Sequence, residues 1–402
     1  MSRGPGTGMR DRPLIIVMTA GMGAGHDQVG RELSSRLSGQ GVGTELVDVG
    51  RLLPVGFGRG LTGLYKFMAV RAPWLYGLTF QLAMRPGQGQ AAAPSAPLAV
   101  LARRRLRHLV AAEQPALIVS TFRLCSQVAG RMRAEGELQV PVVSFVLDFF
   151  VHGMWAHPGV DAHLLVHQSQ CPQLMARGGR RPVVCGPVVR PAFAGGGWDR
   201  TAARRPFGLQ PGQPAVLVVA GSWGVGKVTA ALDALLHAGG SVPLVVAGRN
   251  AALRASLLKR CPAGAEARVF GWVDDMDQFM AAADVVVENA GGLTAMEAMA
   301  SGAPVVSYRP IAGHGRANAE EMARAGVSVY ARNDQELVSY LDTLVQRGPL
   351  RQRLVERAQS MFCADAAEIL AAWAKAGAVG GPVAPDDGTD FGGPARGCPT
   401  TG

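Results

Sequence analysis

The chain has 402 residues, 48% of them apolar, which is enough for two or three domains with full-sized cores. Its formal net charge of +10, from 40 Lys and Arg against 30 Asp and Glu, suits anionic lipid surfaces or phosphorylated substrates. The basic residues are scattered with few interleaved aromatics, which argues against nucleic acid, and no apolar run approaches the roughly 20 residues that span a bilayer. Six cysteines without a C-x-x-C pair or zinc spacing, and no secretory leader, give the expectation of a reduced, cytoplasmic protein.

Short Val/Ile/Leu runs alternate with helix-length segments along most of the chain. The first half offers strands at 14–18, 44–49, 116–120, 141–147, 163–167 and 182–185. The second half offers them at 215–220, 243–248, 267–271, 284–288 and 304–308. Runs buried on both faces and separated by helices are the pattern of parallel βαβ units. The expected organisation is an α/β protein of two Rossmann-like domains, 1–187 and 214–350, joined by a Gly/Pro-rich linker at 188–213. A C-terminal helix at 351–376 and a disordered Gly/Pro/Asp-rich tail at 377–402 complete it.

Several stretches carry chemistry. The loop TAGMGAGHDQVGREL (19–33) follows the first strand, and Gly21, Gly23 and Gly25 allow close backbone approach at a helix start that favours an anion. Its spacing is not the dinucleotide G-x-G-x-x-G, although Asp48 is a candidate ribose acid at the end of the second strand. His26 at the helix start is a candidate general base, with a helix-capping role as the plainer alternative. Residues 51–85 mix Leu, Phe, Trp, Tyr and Met with Arg51, Arg59, Lys66, Arg71 and Arg85 and hold no acid. That composition fits a helix lying in a membrane interface, or a buried hairpin with outward arginines. Asp148, His152, His157, Asp161, His163 and His167 lack any pair one helical turn apart on a helix, so no metal is expected. Trp155 and these histidines are expected to line a cleft beneath an acceptor.

The stretch AGSWGVGKVT (220–229) has the order strand, glycine loop, Lys, helix of a nucleoside-triphosphate loop, with Gly221, Gly226 and Lys227 in register. Val228 stands where a Ser or Thr would ligate magnesium, so Gly221, Ser222 and Gly224 are expected to approach phosphates by another route. Lys227 then either lends charge or is simply solvated. Further on, Gly291 and Gly292 lie between a strand and the helix LTAMEAMA. Their amides, with the Thr294 hydroxyl and the helix N-terminus, are suited to hold a diphosphate without metal. Glu297 follows in that helix, placed for ribose hydroxyls. A second loop brings His314, Arg316 and Asn318 to the same sheet edge, where Arg316 is equally readable as a surface charge.

The residues GWVDDM (271–276), ENAGGLTAMEAMASGAPVV (288–306) and the loop AGHGRANA (312–319) that holds Asn318 resemble the donor-binding signature of glycosyltransferase family 28. That family includes the monogalactosyldiacylglycerol synthases, the processive diacylglycerol glucosyltransferases and the N-acetylglucosaminyltransferase of peptidoglycan synthesis. LDFFVHGMWAHPGVDAHLLV (147–166) is similar to the D-x-x-x-H-x-x-W-x-H-P-x-x-D segment of the diacylglycerol branch, and the loop ending in His26 is similar too. The resemblance covers about 13–345.

The resemblance implies a GT-B fold, two Rossmann-like domains facing a central cleft, and inverting transfer from a UDP-sugar without metal or other cofactor. Trp272 and Val273 would meet the uracil, Glu297 the ribose, and Gly291, Gly292, Leu293 and Thr294 the diphosphate, with Gly221 and Ser222 beside it. His314, Arg316 and Asn318 would approach the sugar or phosphates. His26, with Asp148 as competitor, would be the base, and Gly25, His152 and Trp155 would face the acceptor. One departure is that His314-Gly315 stands where the lipid enzymes commonly carry Gln-Glu, which leaves the sugar open. The implied acceptor is a diacylglycerol-type lipid at the inner face of the cell membrane. A hydrophobic natural product as acceptor, or a UDP-sugar 2-epimerase, is the alternative.

Overall fold

A computed structural model describes residues 12–21, 24–54, 96–194, 198–262, 264 and 266–379, and residues 56–58, 60, 63–64, 67–68, 75 and 77 between the second and third of these stretches. The tail from 380, Gly23, and Arg59, Lys66, Arg71 and Arg85 of the basic apolar segment lie outside the described residues.

Two six-stranded sheets form the molecule, in the orders β2-β1-β3-β4-β5-β6 and β12-β11-β10-β7-β8-β9. The first contains β1 (Leu14–Thr19), β2 (Gly43–Asp48), β3 (Leu117–Ser120), β4 (Val142–Val146), β5 (Ala162–Leu165) and β6 (Pro182–Val184). The second contains β7 (Ala215–Val219), β8 (Val242–Val246), β9 (Arg268–Phe270), β10 (Val285–Glu288), β11 (Val305–Tyr308) and β12 (Val329–Ala331). Every pairing within both sheets is parallel. All eleven expected strands are present; β12, only three residues long, went unanticipated. The inner strands β1, β3, β4, β5, β7, β8, β10 and β11 are wholly buried, whereas the edges β2, β6 and β9 are partly exposed. Helices on both faces dictate this, because a sheet covered twice must be apolar on both sides.

Both sheets reverse their strand order once, between β1 and β3 in the first and between β7 and β10 in the second. Loops at the carboxyl ends of the strands part at such a point and leave a crevice. The two reversals bring the loops after β1, β3, β7 and β10 to one central cleft.

The 188–213 segment is not a loose tether. Val188, Val189, Phe193, Ala203, Phe207 and Leu209 are buried in a core shared by both halves. Phe207 packs on Phe279 and Phe270 with ring centroids 4.6 and 5.8 Å apart, and Arg204 donates to the Ala282 carbonyl. The C-terminal region is two helices, Pro349–Gln359 and Ala366–Ala376, rather than the single one expected. Asp365 caps the second by accepting the Ala367 N–H. That helix packs back on the first domain's helix Ala24–Gly39, where Arg36 pairs with Asp365 at 3.1 Å. The chain therefore closes across both domains.

Candidate active site

A cavity of about 420 Å³ lies between the two reversal points. Gly25, His26, Asp148, Gly221, Ser222, Trp272, Val273, Gly292, Leu293, Thr294, Glu297 and His314 all line it, from the loops after six strands or the helices that follow them.

On the first-domain side, His26 lies in the first turn of helix Ala24–Gly39, half-buried. Its Nδ1 is 2.8 Å from the Thr121 carbonyl. A carbonyl only accepts, so Nδ1 carries the proton and Nε2 keeps the lone pair. Burial pushes the imidazole below its ordinary pKa, against an opposing pull from Asp148, so it is neutral near pH 7. Phe122 meets it edge-on at 4.8 Å between centroids. Such a histidine is poised to accept a proton.

Asp148 is buried behind His26. Its Oδ2 accepts Trp155 Nε1 at 3.0 Å and its Oδ1 accepts Asn318 Nδ2 at 3.3 Å. Burial pushes its carboxyl up, but His314, His26, His152 and Arg123 outweigh that and hold it below the ordinary range. Both oxygens are thus engaged from behind, and Asp148 still lines the cavity beside His26. Trp155 and His152 are buried behind this wall and do not line the cavity, which corrects their expected place against the acceptor. The reason is packing: Trp155 reaches inward to Asp148, and His152, 4.0 Å from the same carboxylate, is driven by burial to a pKa of about 3. His157 and His163 are bonded to the Gly159 N–H and the Arg180 carbonyl, and His167 stacks on Phe149. Among the described residues no three His, Cys, Asp or Glu side chains are arranged to hold a metal ion.

On the second-domain side, Glu288 at the end of β10 is the residue the motif reading missed. Its buried carboxylate accepts the N–H groups of Ala290 and Gly291 and the Ser307 hydroxyl, which folds the loop 289–292. The Gly291 amide is thus already engaged, and Gly291 is absent from the cavity lining. Its φ of +64° and a position 2.6 Å from Asn318 Cβ for any added Cβ explain the glycine instead. The open amides at this helix start belong to Gly292, Leu293 and Thr294. Glu297 is buried, accepts Gln28 Nε2 at 2.8 Å, and is raised to about 7 by burial. Trp272 is stacked by the Arg249 guanidinium 3.6 Å from its ring centre.

His314 lines the cavity, and burial lowers its pKa to about 4, so its ring is neutral near pH 7. Arg316 is exposed and does not line the cavity. Asn318 is fully buried and bonds Asp148, the Phe150 N–H and the Ala290 carbonyl, so it braces the walls rather than lining them. The cavity's cations are Arg123 and Arg190, neither singled out by the sequence. Asp48 caps the short helix Val49–Leu52 and holds the Gly21 N–H at 3.0 Å, which removes it as a ribose ligand. In the 220–229 loop, Gly221 and Ser222 line the cavity while Lys227 is exposed and away from it. Gly226 has φ +101° and backs onto Asn289, whose Nδ2 donates to the Val225 carbonyl.

Comparison with known proteins places this architecture. The monogalactosyldiacylglycerol (MGDG) synthase family matches residues 47–189, and glycosyl transferases group 1 match 203–361. A processive diacylglycerol beta-glucosyltransferase of Bacillus cereus (strain AH187) is 25% identical over 370 residues, covering 90% of this chain and 92% of that protein. Among solved structures, MurG of Acinetobacter baumannii superposes with a TM-score of 0.58 at 17% identity, over 90% of this chain and 99% of its own. Anabaena Alr3699/HepE, solved in complex with UDP-glucose, gives a TM-score of 0.53 at 16% identity, over 87% and 94%. The chain has the GT-B fold of these solved structures and is similar, over most of its length, to the processive diacylglycerol glucosyltransferases and, over 47–189, to the monogalactosyldiacylglycerol synthases.

Proposed function

We propose that the protein is an inverting hexosyltransferase that moves a hexose or N-acetylhexosamine from a UDP-sugar to the hydroxyl of a diacylglycerol-type lipid at the inner face of the cell membrane. The observation that carries this reading is the pairing across one cavity of a neutral His26, its Nε2 free to take a proton, with the open helix N-terminus at Gly292–Thr294. His26 Nε2 would remove the acceptor hydroxyl proton while that oxygen attacks the anomeric carbon from the face opposite the nucleotide. The C–O bond to the diphosphate breaks as the new glycosidic bond forms, inverting the carbon. The negative charge gathering on UDP would meet the Gly292–Thr294 amides, with Arg123 and Arg190 as nearby cations. Glu297 would accept ribose hydroxyls and Trp272–Val273 would flank the base.

The lipid acceptor is supported by the names of the curated relatives and by the family match over 47–189. It is supported too by the described residues of the acid-free segment, where Phe57, Leu64 and Phe67 are exposed and Gly77 lies against Ala312, two residues from His314. No described helix is long and apolar enough to cross a membrane, so contact would be peripheral. The test is thermal stabilisation by UDP, ADP and ATP in EDTA and in magnesium. UDP is expected to raise the melting temperature equally in both; stabilisation by ATP-Mg alone would overturn the reading.

A further inference from the structure

Three hydrogen bonds from a side-chain amide to a carboxylate cross the cleft. Gln28 Nε2, from the first domain, donates to Glu297 Oε1 of the second at 2.8 Å. Asn318 Nδ2, from the second, donates to Asp148 Oδ1 of the first at 3.3 Å. Outside the cavity lining, Gln173 Nε2 donates to Glu321 Oε2 at 3.2 Å. In each pair a neutral amide holds a carboxylate, which fixes its orientation and favours its ionised form without cancelling its charge. Gln28 stands out because it lines the cavity and lies two residues, about half a helical turn, beyond His26 on the same helix.

We propose that Gln28 is a positioning residue that ties the nucleotide-side carboxylate Glu297 to the helical turn carrying His26, so that seating of the donor and placement of the base share one contact. This rests on the reading of Glu297 as the ribose ligand. With Oε1 held by Gln28, Oε2 is directed to the ribose diol, and the diol in turn reinforces the bond that anchors the base-bearing helix. The groups that act on Glu297 are Arg190, from the segment after β6, and Asp277, from helix Met276–Ala282. Burial is what raises its carboxyl to about 7, and the Gln28 bond pulls it back. A ribose diol is held best by the carboxylate, so affinity for UDP falls as pH drops through that value. Removing Gln28 raises the midpoint, because the ionised form loses a donor.

The test is UDP affinity by calorimetry from pH 6 to 9 on the full-length protein and its Gln28→Leu, Gln28→Glu and Glu297→Gln variants. At pH 7, Gln28→Leu should bind UDP about two- to fivefold more weakly, with its midpoint raised by roughly half a unit to one unit and affinity largely regained at pH 9. Gln28→Glu should move the midpoint further, because it sets a second carboxylate against Glu297. Glu297→Gln should bind weakly with no midpoint. An equal loss for Gln28→Leu at every pH, or no change at all, overturns the positioning role while UDP binding by the unaltered protein keeps the donor reading intact. Failure of the unaltered protein to bind UDP at any pH overturns the donor reading and the positioning role with it.

Discussion

The two walls of the cleft are built from different materials. The second-domain wall is largely backbone: glycines and amides of the loops after β7 and β10, locked by Glu288 and Asn289 from within. The first-domain wall is side chain: His26, Arg123 and Asp148, held by Trp155, Asn318 and the Thr121 carbonyl. A wall of amides at a helix start suits a diphosphate, whose charge needs donors that do not titrate. A wall of buried ionisable side chains suits proton transfer, whose partner must change state. On the function proposed above, nucleotide holding falls to one domain and acid–base work to the other.

Three substitutions break or sharpen this division. The largest effect on turnover is expected for His26→Ala, a loss on the order of 10²–10⁴ in kcat with UDP affinity within twofold, read by steady-state kinetics beside calorimetry. If UDP affinity fell in parallel, the two walls would not divide the work. Next comes Gly226→Ala on the backbone wall. With φ +101° and only 2.2 Å from the new Cβ to Asn289 Nδ2, it should cost about 1–3 kcal/mol of stability in denaturant unfolding and weaken UDP. Unchanged stability would mean the loop can be rebuilt without glycine. The smallest is Lys227→Ala: exposed and outside the cavity, it should leave turnover within twofold and stability within about 0.5 kcal/mol. A large loss there would revive a triphosphate-loop role.

The backbone wall is also the wall that a reader of the sequence can find. Glycines between a strand and a helix have few other uses, and apolar runs buried on both faces announce their own sheet. Twelve of the seventeen named catalytic, donor and acceptor candidates accordingly line the cavity. The side-chain wall is harder. Arg123 and Arg190 look like any surface arginine until β3 and the end of β6 carry them to the cleft. Arg316, on a helix whose first residue His314 does reach the site, turns to solvent while Asn318 takes the inward position. His152 and Trp155 sit in a motif that marks the site, yet serve it from behind through Asp148. Likewise the Gly/Pro-rich stretch 188–213 looks like a tether only until its apolar residues are seen filling a shared core. Composition reports what a segment contains; only the tertiary fold decides which side of a wall a side chain occupies.

The most direct measurement is transfer of labelled sugar from UDP-glucose, UDP-galactose and UDP-N-acetylglucosamine to diacylglycerol in mixed micelles containing EDTA. A glycolipid of inverted anomeric configuration from at least one donor, lost in His26→Ala, is the expected result. No lipid product from any of the three donors, or a product of retained configuration, would contradict it.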